Sequence, residues 1–300
     1  MGDLTPYPPP MHEKDGGLRA RLAILGAAVL FSSGGAAIKA TTLTGWQVAC
    51  LRSAVAAVAV LLMLPAARVG GGVMPVVVGI GYAATMILFV LANKLTTAAN
   101  TIYLQATAPI YLVIIGPLLL KEPLRRRDLV FMGALAVGLG FFFIGTEPGS
   151  RTAPDPATGN VLAALSGLCW ALAVSGLRYM GKTGGSAGGS GAAVVAGNLI
   201  ACLFCLPMAL PIAHVSAQDA AVISFLGIFQ IGLAYVLLTR GLERVGAFEA
   251  SLLLLGEPVL NPLWAWLVHG ERPRSWSLVG GAVIVGATIF KAAWERGRES

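Results

Sequence analysis

Two ionisable side chains stand inside long apolar stretches, where a charge is costly. Glu257 precedes Pro258 near the middle of one stretch, and Arg52 follows Trp46 by six residues in another. A carboxylate at such a depth marks a substrate or proton pathway or else a buried pair, because hydrocarbon does not solvate it. Glu257 is therefore either the partner of a cation, an ammonium group or a proton, or a structural carboxylate satisfied by the kinked backbone or by Asn261.

Arg52 also admits two roles. Its guanidinium could bind the carboxylate of a substrate. It could instead extend to the membrane surface, or tie helices together through backbone carbonyls, while its methylene stem stays in apolar surroundings. We favour the structural role at this stage.

Aromatic and polar residues recur near the middle of the other apolar stretches. Buried Tyr, Gln and Asn side chains need hydrogen-bond partners, which a bundle interior or a water-filled cavity supplies. An aromatic face at helical spacing is typical of packing as well as of a pocket. As a set, we interpret these residues as the lining of a substrate cavity. The candidates are Tyr82, Phe89, Tyr103, Gln105, Trp170, Asn198, Gln230, Tyr235 and Glu257.

Prolines interrupt two of the apolar stretches near their middle, at Pro109 and Pro258. Each removes a backbone donor and disturbs the preceding turn. A membrane tolerates such a break where the freed carbonyls meet protein or water. The two prolines are candidate hinge or gating residues beside a cavity, and static kinks that improve helix packing are the alternative.

The sequence lacks the motifs of enzymes and metal sites. Its three histidines have no zinc-ligand spacing, and neither a GxSxG elbow nor a Walker lysine motif occurs. The CxxC of Cys202 and Cys205 lies in an apolar stretch without a second ligand pair. We therefore expect no catalytic residue, no metal and no cofactor, and the chain is not predicted to be an enzyme.

The composition indicates a membrane protein. Hydrophobic residues make up 56% of the 300 positions and charged residues 12%, against about 25% charged in soluble domains. Despite a net charge of +7, nucleic acid is not an expected partner, because the basic residues do not cluster on a solvated domain. The expected partners are the lipid bilayer and a small-molecule substrate, with the chain a monomer or a homodimer.

Ten apolar runs approach the roughly 20 helical residues that cross a bilayer. They cover residues 21–39, 46–66, 73–92, 98–120, 129–145, 160–179, 192–212, 219–238, 247–268 and 276–293. With the N-terminus inside, 15 of the 21 Lys and Arg residues lie on the inner side, five on the outer side and Arg52 within a span. This bias predicts a multi-pass membrane protein with both termini in the cytoplasm.

The chain contains an internal repeat. One shift of 149 residues superposes Pro109 on Pro258 and Glu122 on Glu271. Because each half holds five spans, an odd number, the second half must be inverted, which is a recurring plan of secondary transporters. The sequence thus predicts an all-α membrane protein with ten transmembrane helices in two five-helix inverted repeats. The predicted segments are a disordered cytoplasmic tail (1–20), a first repeat (21–145), a connecting loop (146–159), a second repeat (160–293) and a cytoplasmic tail (294–300).

The two halves differ where a symmetric scaffold could be specialised. Glu257 falls on Ala108 under the shift of 149 residues. A shift of 139 residues aligns the first spans of the halves and places Phe31 on Trp170. A role of either residue in function is therefore not symmetric.

Two related motifs carry a family resemblance. They read "APIYLVIIGPLLLKEP" and "LGEPVLNPLWAWLVHGERP", the second before a Gly-rich last span. Over residues 20–293 the chain resembles the EamA branch of the drug/metabolite transporter superfamily. Within it, "ANTIYLQATAPIYLVIIGPLL" is most similar to the YddG-type exporters of aromatic and other neutral amino acids. The resemblance implies export across the inner membrane, a central cavity and alternating access without ATP.

We therefore expect a secondary active or facilitative transporter that exports small zwitterionic metabolites such as neutral or aromatic amino acids. One alternative is efflux of drugs or aromatic cations, with Glu257 and Trp170 as the anionic and π partners. An alternative of another class is a membrane scaffold or receptor that transports nothing, in which the aligned prolines are mere kinks.

Overall fold

The structure is a computed structural model that describes residues 12–68, 72–108, 110–111, 126–144, 149–182, 187–242, 245 and 253–296. Within these ranges the chain is helical with short connections and contains no β-strand, apart from one isolated bridge between Ser150 and Ala153. The all-α prediction is confirmed for this part of the chain.

The helices range from one and a half turns to more than seven turns. Their bounds are α1 His12–Ser32, α2 Gly34–Lys39, α3 Gly45–Met63, α4 Val73–Leu95, α5 Ala98–Gln105, α6 Arg126–Phe141, α7 Pro156–Lys182, α8 Ala187–Ala209, α9 Ala217–Ser224, α10 Ala234–Leu242, α11 Gly256–His269 and α12 Ser275–Arg296. A 3-10 turn, Pro65–Arg68, follows α3, and a π-helical segment, Phe225–Leu233, joins α9 to α10.

Six helical segments among the described residues are long and apolar enough to cross a bilayer. They are Gly17–Lys39, Gly45–Met63, Val73–Leu95, Pro156–Leu177, Gly189–Ala209 and Ala217–Gly241. Two shorter apolar helices, Leu129–Phe141 and Ser275–Lys291, lie where two further spans were predicted. The predicted spans at 98–120 and 247–268 run partly outside the described residues, so the count of ten stays a prediction.

Large apolar side chains on these segments are exposed on the outside of the helix bundle. Leu62 in α3 and Leu203 in α8 are each 67% exposed in the protein alone, and many similar residues accompany them. Such an apolar surface is stable against lipid and unfavourable against water. The protein is therefore a multi-pass membrane protein.

Side-chain caps fix where several helices begin. At the start of α3, Thr44 accepts a hydrogen bond from the Gln47 amide at 3.2 Å, and the Thr44 amide donates back to Gln47 Oε1 at 3.1 Å. Ser216 and Asp219 form the same reciprocal cap at the start of α9. Each cap satisfies backbone donors that would otherwise lack a partner and stabilises its helix by ~1 kcal/mol.

Small residues let the central helices approach closely. α4 packs against α7 and α8, and α3 packs against α8 and the π-helical segment. A Cβ on Gly79 would lie 2.9 Å from the backbone nitrogen of Gly197, and one on Gly176 would lie 2.6 Å from Val78 Cγ2. Larger side chains at Gly79 or Gly176 would push these helices apart.

Several helix ends meet at one membrane face. Lys39 at the end of α2 contacts Thr96 after α4 and Glu271 after α11. The start of α9 joins them, because the Thr42 hydroxyl donates to Asp219 Oδ2 at 2.7 Å. We call this side the Lys39 face.

Candidate functional site

A cavity of about 330 Å³ lies between the helices. This volume is within the range of small-molecule pockets, which are mostly apolar with a few placed polar groups. Most of its lining is aliphatic or aromatic, and α1, α3, α4, α5, α7, α10, α11, α12 and the π-helical segment all contribute. The polar residues of the lining are Arg52, Tyr82, Gln105, Gln230, Tyr235, Glu257 and Thr288.

The structure brings together seven of the nine residues that sequence analysis assigned to a cavity. They come from helices far apart in the chain, and they all line the same space. These residues are Tyr82, Phe89, Gln105, Trp170, Gln230, Tyr235 and Glu257.

Tyr103 and Asn198 lie in helix contacts and not among the lining residues. The Tyr103 ring lies 6.0 Å from the Phe142 ring, centroid to centroid, and a Cβ on Gly281 would meet it at 2.6 Å. Asn198 is fully buried in α8, and its amide donates to Val194 O one turn earlier at 2.9 Å. The Tyr103 side chain therefore packs between helices, whereas the Asn198 amide is hydrogen-bonded within its own helix.

A chain of three aromatic rings forms part of the cavity wall. The Tyr235 ring lies 5.4 Å from the Phe31 ring and 6.0 Å from the Tyr82 ring, with interplanar angles of 81° and 64°. Such edge-to-face contacts are favourable for aromatic pairs. The buried Tyr82 hydroxyl has no hydrogen-bond partner among the described residues. The Tyr235 hydroxyl and the Asn198 side chain lie close to it.

The Arg52 side chain is buried and faces the cavity. It is 1% exposed, and Nη2 donates to Met86 O at 3.4 Å and lies 3.4 Å from Met86 Sδ. The Nε–H group has no partner within the described chain. The side chain therefore does not reach a membrane surface, which was one of the structural roles considered from sequence.

Glu257 lies in the first turn of α11 and lines the cavity. It forms no hydrogen bond or ion pair in the described structure. Asn261, the structural partner considered from sequence, has both amide atoms unsatisfied and does not bind Glu257. Asn261 Oδ1 instead approaches α2, since a Cβ on Gly35 would lie 2.8 Å from it.

A buried ion pair joins helix ends at the Lys39 face. Lys39 Nζ lies 3.2 Å from Glu271 Oε2, and both side chains are 3% exposed. Glu271 Oε1 accepts from the Ala98 amide at 2.5 Å, at the start of α5 where the helix dipole favours a negative charge. Lys39 also donates to Thr96 O at 2.7 Å and to Thr152 O. Lys39 thus connects four segments, which are the end of α2, the residues after α4, the loop at Thr152 and the residues after α11.

A second polar group lies beside this pair. Asn160 at the start of α7 accepts from the Thr96 hydroxyl at 2.8 Å and from the Asn100 amide at 3.1 Å. Its own amide donates to Phe142 O at 2.9 Å, just after α6. The segments at the Lys39 face are therefore held together by polar contacts, which water can replace, as well as by apolar packing.

Sequence analysis used Glu271 only to align the two repeats and did not recognise its pairing with Lys39. The signal available was weak. The two residues have opposite charge and end apolar runs on the same predicted side of the membrane. No spacing rule connects residues so far apart in the chain.

A turn interrupts the described helices a few residues before each of the two prolines that were candidate hinges. α5 ends at Gln105, and a turn follows at Ala106 and Thr107. Another turn at Leu255 precedes α11, whose first turn contains Pro258. Pro258 lines the cavity, whereas Pro109 lies outside the described residues. A proline in a first turn costs the helix little, because those amides lack an intrahelical partner anyway.

The described part of the chain shows no arrangement for metal binding. It contains no group of three or more His, Cys, Asp or Glu side chains that could hold a metal ion. The thiols of Cys50 and Cys202 lie 3.7 Å apart, and all four cysteines are free.

Comparisons with known proteins agree with a transporter. Residues 157–291 match the EamA-like transporter family. The chain is 29% identical to "Uncharacterized transporter YdfC" of Bacillus subtilis (strain 168) over 213 residues. The aligned region covers 70% of this chain and 68% of that protein. A crystal structure of a protein superposes with a TM-score of 0.64 at 20% identity, over 94% of this chain and 98% of that one, which shows a shared fold. The sequence matches support the EamA-like transporter family of the drug/metabolite transporter superfamily, and a membrane transporter.

Proposed function

We propose that this chain, for which the comparisons support the EamA-like transporter family, exports small zwitterionic metabolites, in particular neutral or aromatic amino acids. Transport occurs by alternating access through the central cavity and uses no ATP. The observation that carries the proposal is a cavity of about 330 Å³ among the spans, with a carboxylate, a guanidinium and an aromatic wall all facing it.

The proposed architecture is ten spans in two inverted repeats, 21–145 and 160–293, between cytoplasmic tails and joined by the loop at 146–159. The turn at Ala106 after α5 and the turn at Leu255 before α11 are 149 residues apart, the same as the repeat shift. The family match to residues 157–291 supports the second half as a unit.

The proposed orientation puts both termini in the cytoplasm of a bacterial cell, so that the Lys39 face is the outer face of the inner membrane. The closure by Lys39 and Glu271 then means that the described conformation is shut toward the outside. Exchange of those polar contacts for water opens this face in the other half of the transport cycle.

An amino acid requires an acceptor for its ammonium group, donors for its carboxylate and an apolar wall for its side chain. Glu257 provides the acceptor, and it has no other partner in the described structure. The Tyr82 hydroxyl and Gln230 provide neutral hydrogen-bonding groups. Trp170 and Phe89 provide apolar walls. The chemistry of the lining thus fits a small zwitterion with a neutral side chain.

Counterflow in proteoliposomes tests this function. Vesicles loaded with an unlabelled neutral amino acid should accumulate the labelled one through the purified protein. Tyr82→Phe removes a hydroxyl from the cavity wall, and we expect about a 2- to 10-fold lower affinity, the usual worth of one hydrogen bond. Tyr103→Phe is the matched control, because Tyr103 lies outside the lining, and its counterflow should equal that of the wild type. Absence of counterflow for every neutral amino acid would contradict the function.

Efflux of aromatic cations is the second candidate, and one observation favours it. Glu257 and Trp170 line the same cavity, and a carboxylate beside an indole is a suitable site for an organic cation. Competition decides between the candidates. If a cationic dye displaces amino acids from the wild type and amino acids do not displace the dye, the substrate is an aromatic cation and not an amino acid.

A further inference from the structure

The cavity contains two opposite charges that do not pair with each other. Arg52 and Glu257 both line it, and neither forms an ion pair within the described part of the chain. The same structure joins Lys39 and Glu271 at 3.2 Å where a buried charge holds helices together. Arg52 and Glu257 are therefore not explained by the structural pairing seen at the Lys39 face.

The two charges belong to different walls of the cavity. Arg52 is on α3, which packs against α4, α8 and the π-helical segment, whereas Glu257 is on α11, which packs against α1, α2 and α5. The aromatic chain from Phe31 on α1 through Tyr235 to Tyr82 on α4 connects these walls. A molecule in the cavity can therefore meet a positive group on one wall and a negative group on another.

Arg52 has hydrogen-bonding capacity that the protein leaves unused. Its Nε–H group and the nearby Tyr82 hydroxyl have no partner among the described residues, although both side chains are 1% exposed. A guanidinium held in a membrane without a counter-charge is unfavourable, and such residues mark substrate pathways. A carboxylate fits this group, because it accepts two parallel charge-assisted hydrogen bonds from arginine.

The structural role that sequence analysis favoured for Arg52 does not account for this geometry. The contact to Met86 O is 3.4 Å long, beyond the usual 2.7–3.2 Å of an N–H···O hydrogen bond. One long bond to a carbonyl does not justify the burial of a full charge.

We propose that Arg52 binds the carboxylate of the substrate and Glu257 binds its ammonium group, so that the cavity selects molecules that carry both charges. This inference rests on the proposed transport function and assigns the substrate class to particular residues of the same site. Cations and anions of equal size are rejected, because each leaves one buried charge without a partner.

Calorimetric binding to the purified full chain tests the proposal with three probes that share one side chain. These probes are phenylalanine, phenethylamine, which lacks the carboxylate, and 3-phenylpropionate, which lacks the ammonium group. The wild type should prefer phenylalanine to each of the others by at least about tenfold, since each loses a charge-assisted hydrogen bond.

Charge-removing variants assign the two ends. In Arg52→Gln, the affinity for phenylalanine should fall at least about tenfold, so that phenylalanine binds no better than phenethylamine. In Glu257→Gln, phenylalanine should bind no better than 3-phenylpropionate. Arg52→Lys keeps the charge and should keep the preference for phenylalanine. Arg68→Gln is the matched control, since it removes a positive charge whose guanidinium donates to Leu61 O outside the cavity lining. Its affinities should equal those of the wild type.

The outcomes separate this inference from the transport function. If the wild type binds phenylalanine and phenethylamine equally well, the carboxylate is not recognised and the inference is wrong, even if amino acids are transported. An unchanged preference in Arg52→Gln overturns it as well. If Arg52→Gln fails to fold, the affinities of the wild type for the three probes still show whether the cavity requires both charges. Failure of the wild type to bind or transport any neutral amino acid defeats the transport function itself.

Discussion

Trp170 and Phe31 occupy matching positions of the proposed internal repeat, and both line the cavity. The two residues give the cavity an indole on α7 and a phenyl ring on α1. Substrates are not symmetric, so an inverted repeat needs such differences to build a site with distinct ends. Glu257, which falls on Ala108, is another difference of this kind, and both members of that pair also line the cavity.

Trp170→Phe places a phenylalanine at both positions of the Trp170 and Phe31 pair and tests the role of the indole. An aromatic contact is worth ~0.5–1.5 kcal/mol beyond its buried area, which corresponds to a loss of about 2- to 12-fold in affinity. We expect this loss for phenylalanine and little change for alanine, whose side chain is too small to reach the indole. Calorimetric titration of both amino acids measures the difference. An equal effect on both would indicate that Trp170 supports the fold and does not contact the side chain of the substrate.

Two tyrosines show how far the sequence alone can predict the site. Tyr82 and Tyr103 have the same chemistry and similar depth in their predicted spans, yet Tyr82 lines the cavity and Tyr103 packs against Gly281. Hydropathy gives the depth of a residue, but not which neighbouring helix its side chain meets. The sequence left both roles of Arg52 open for the same reason, because its orientation depends on helices distant in the sequence.

At the level of helices, one ion pair connects several of the helix ends at the Lys39 face. Lys39 and Glu271 connect α2 and the segment after α11 to the start of α5, where the Ala98 amide binds the carboxylate. Removal of one partner leaves the other charge buried without compensation, which typically costs ~3–5 kcal/mol. Loss of one partner is therefore far more destabilising here than in an exposed pair.

Glu271→Gln should weaken this closure. Lys39 keeps its charge and loses its anionic partner, so the protein should melt at a lower temperature, and a cysteine in the cavity should react faster from the Lys39 face. Thermal unfolding and maleimide labelling measure the two effects. The double variant Lys39→Met, Glu271→Leu is the control for stability, because an apolar pair of similar volume often replaces a buried ion pair without loss. An unchanged melting temperature in Glu271→Gln would show that the pair does not hold the face closed.

Helix positions were more predictable than helix contacts. α3, α4, α7 and α8 coincide closely with predicted spans, because a run of apolar residues is a local property of the chain. The break before α11 was also predictable, since Pro258 disturbs the preceding turn. The contact between Lys39 and Glu271 joins residues more than 200 positions apart and was not predictable without an assembled bundle.

At the scale of the whole molecule, the proposed transporter has a cavity among its spans and one face closed by polar contacts. A transporter needs both features, because a substrate must enter from one side while the other side is shut. A receptor or scaffold requires only a stable pocket, with access from a fixed side. The two classes of protein therefore differ in whether the accessible side changes.

Accessibility of a single cavity cysteine from each side of the membrane tests the central claim most directly. Ala106 lines the cavity at the end of α5, so Ala106→Cys can be introduced after the four native cysteines are replaced. Oriented vesicles are treated with a membrane-impermeant maleimide from either face, with and without a neutral amino acid. Alternating access predicts labelling from both faces and a substrate-dependent change in their ratio. Labelling from one face alone, unaltered by any substrate, would contradict transport and favour a receptor or scaffold.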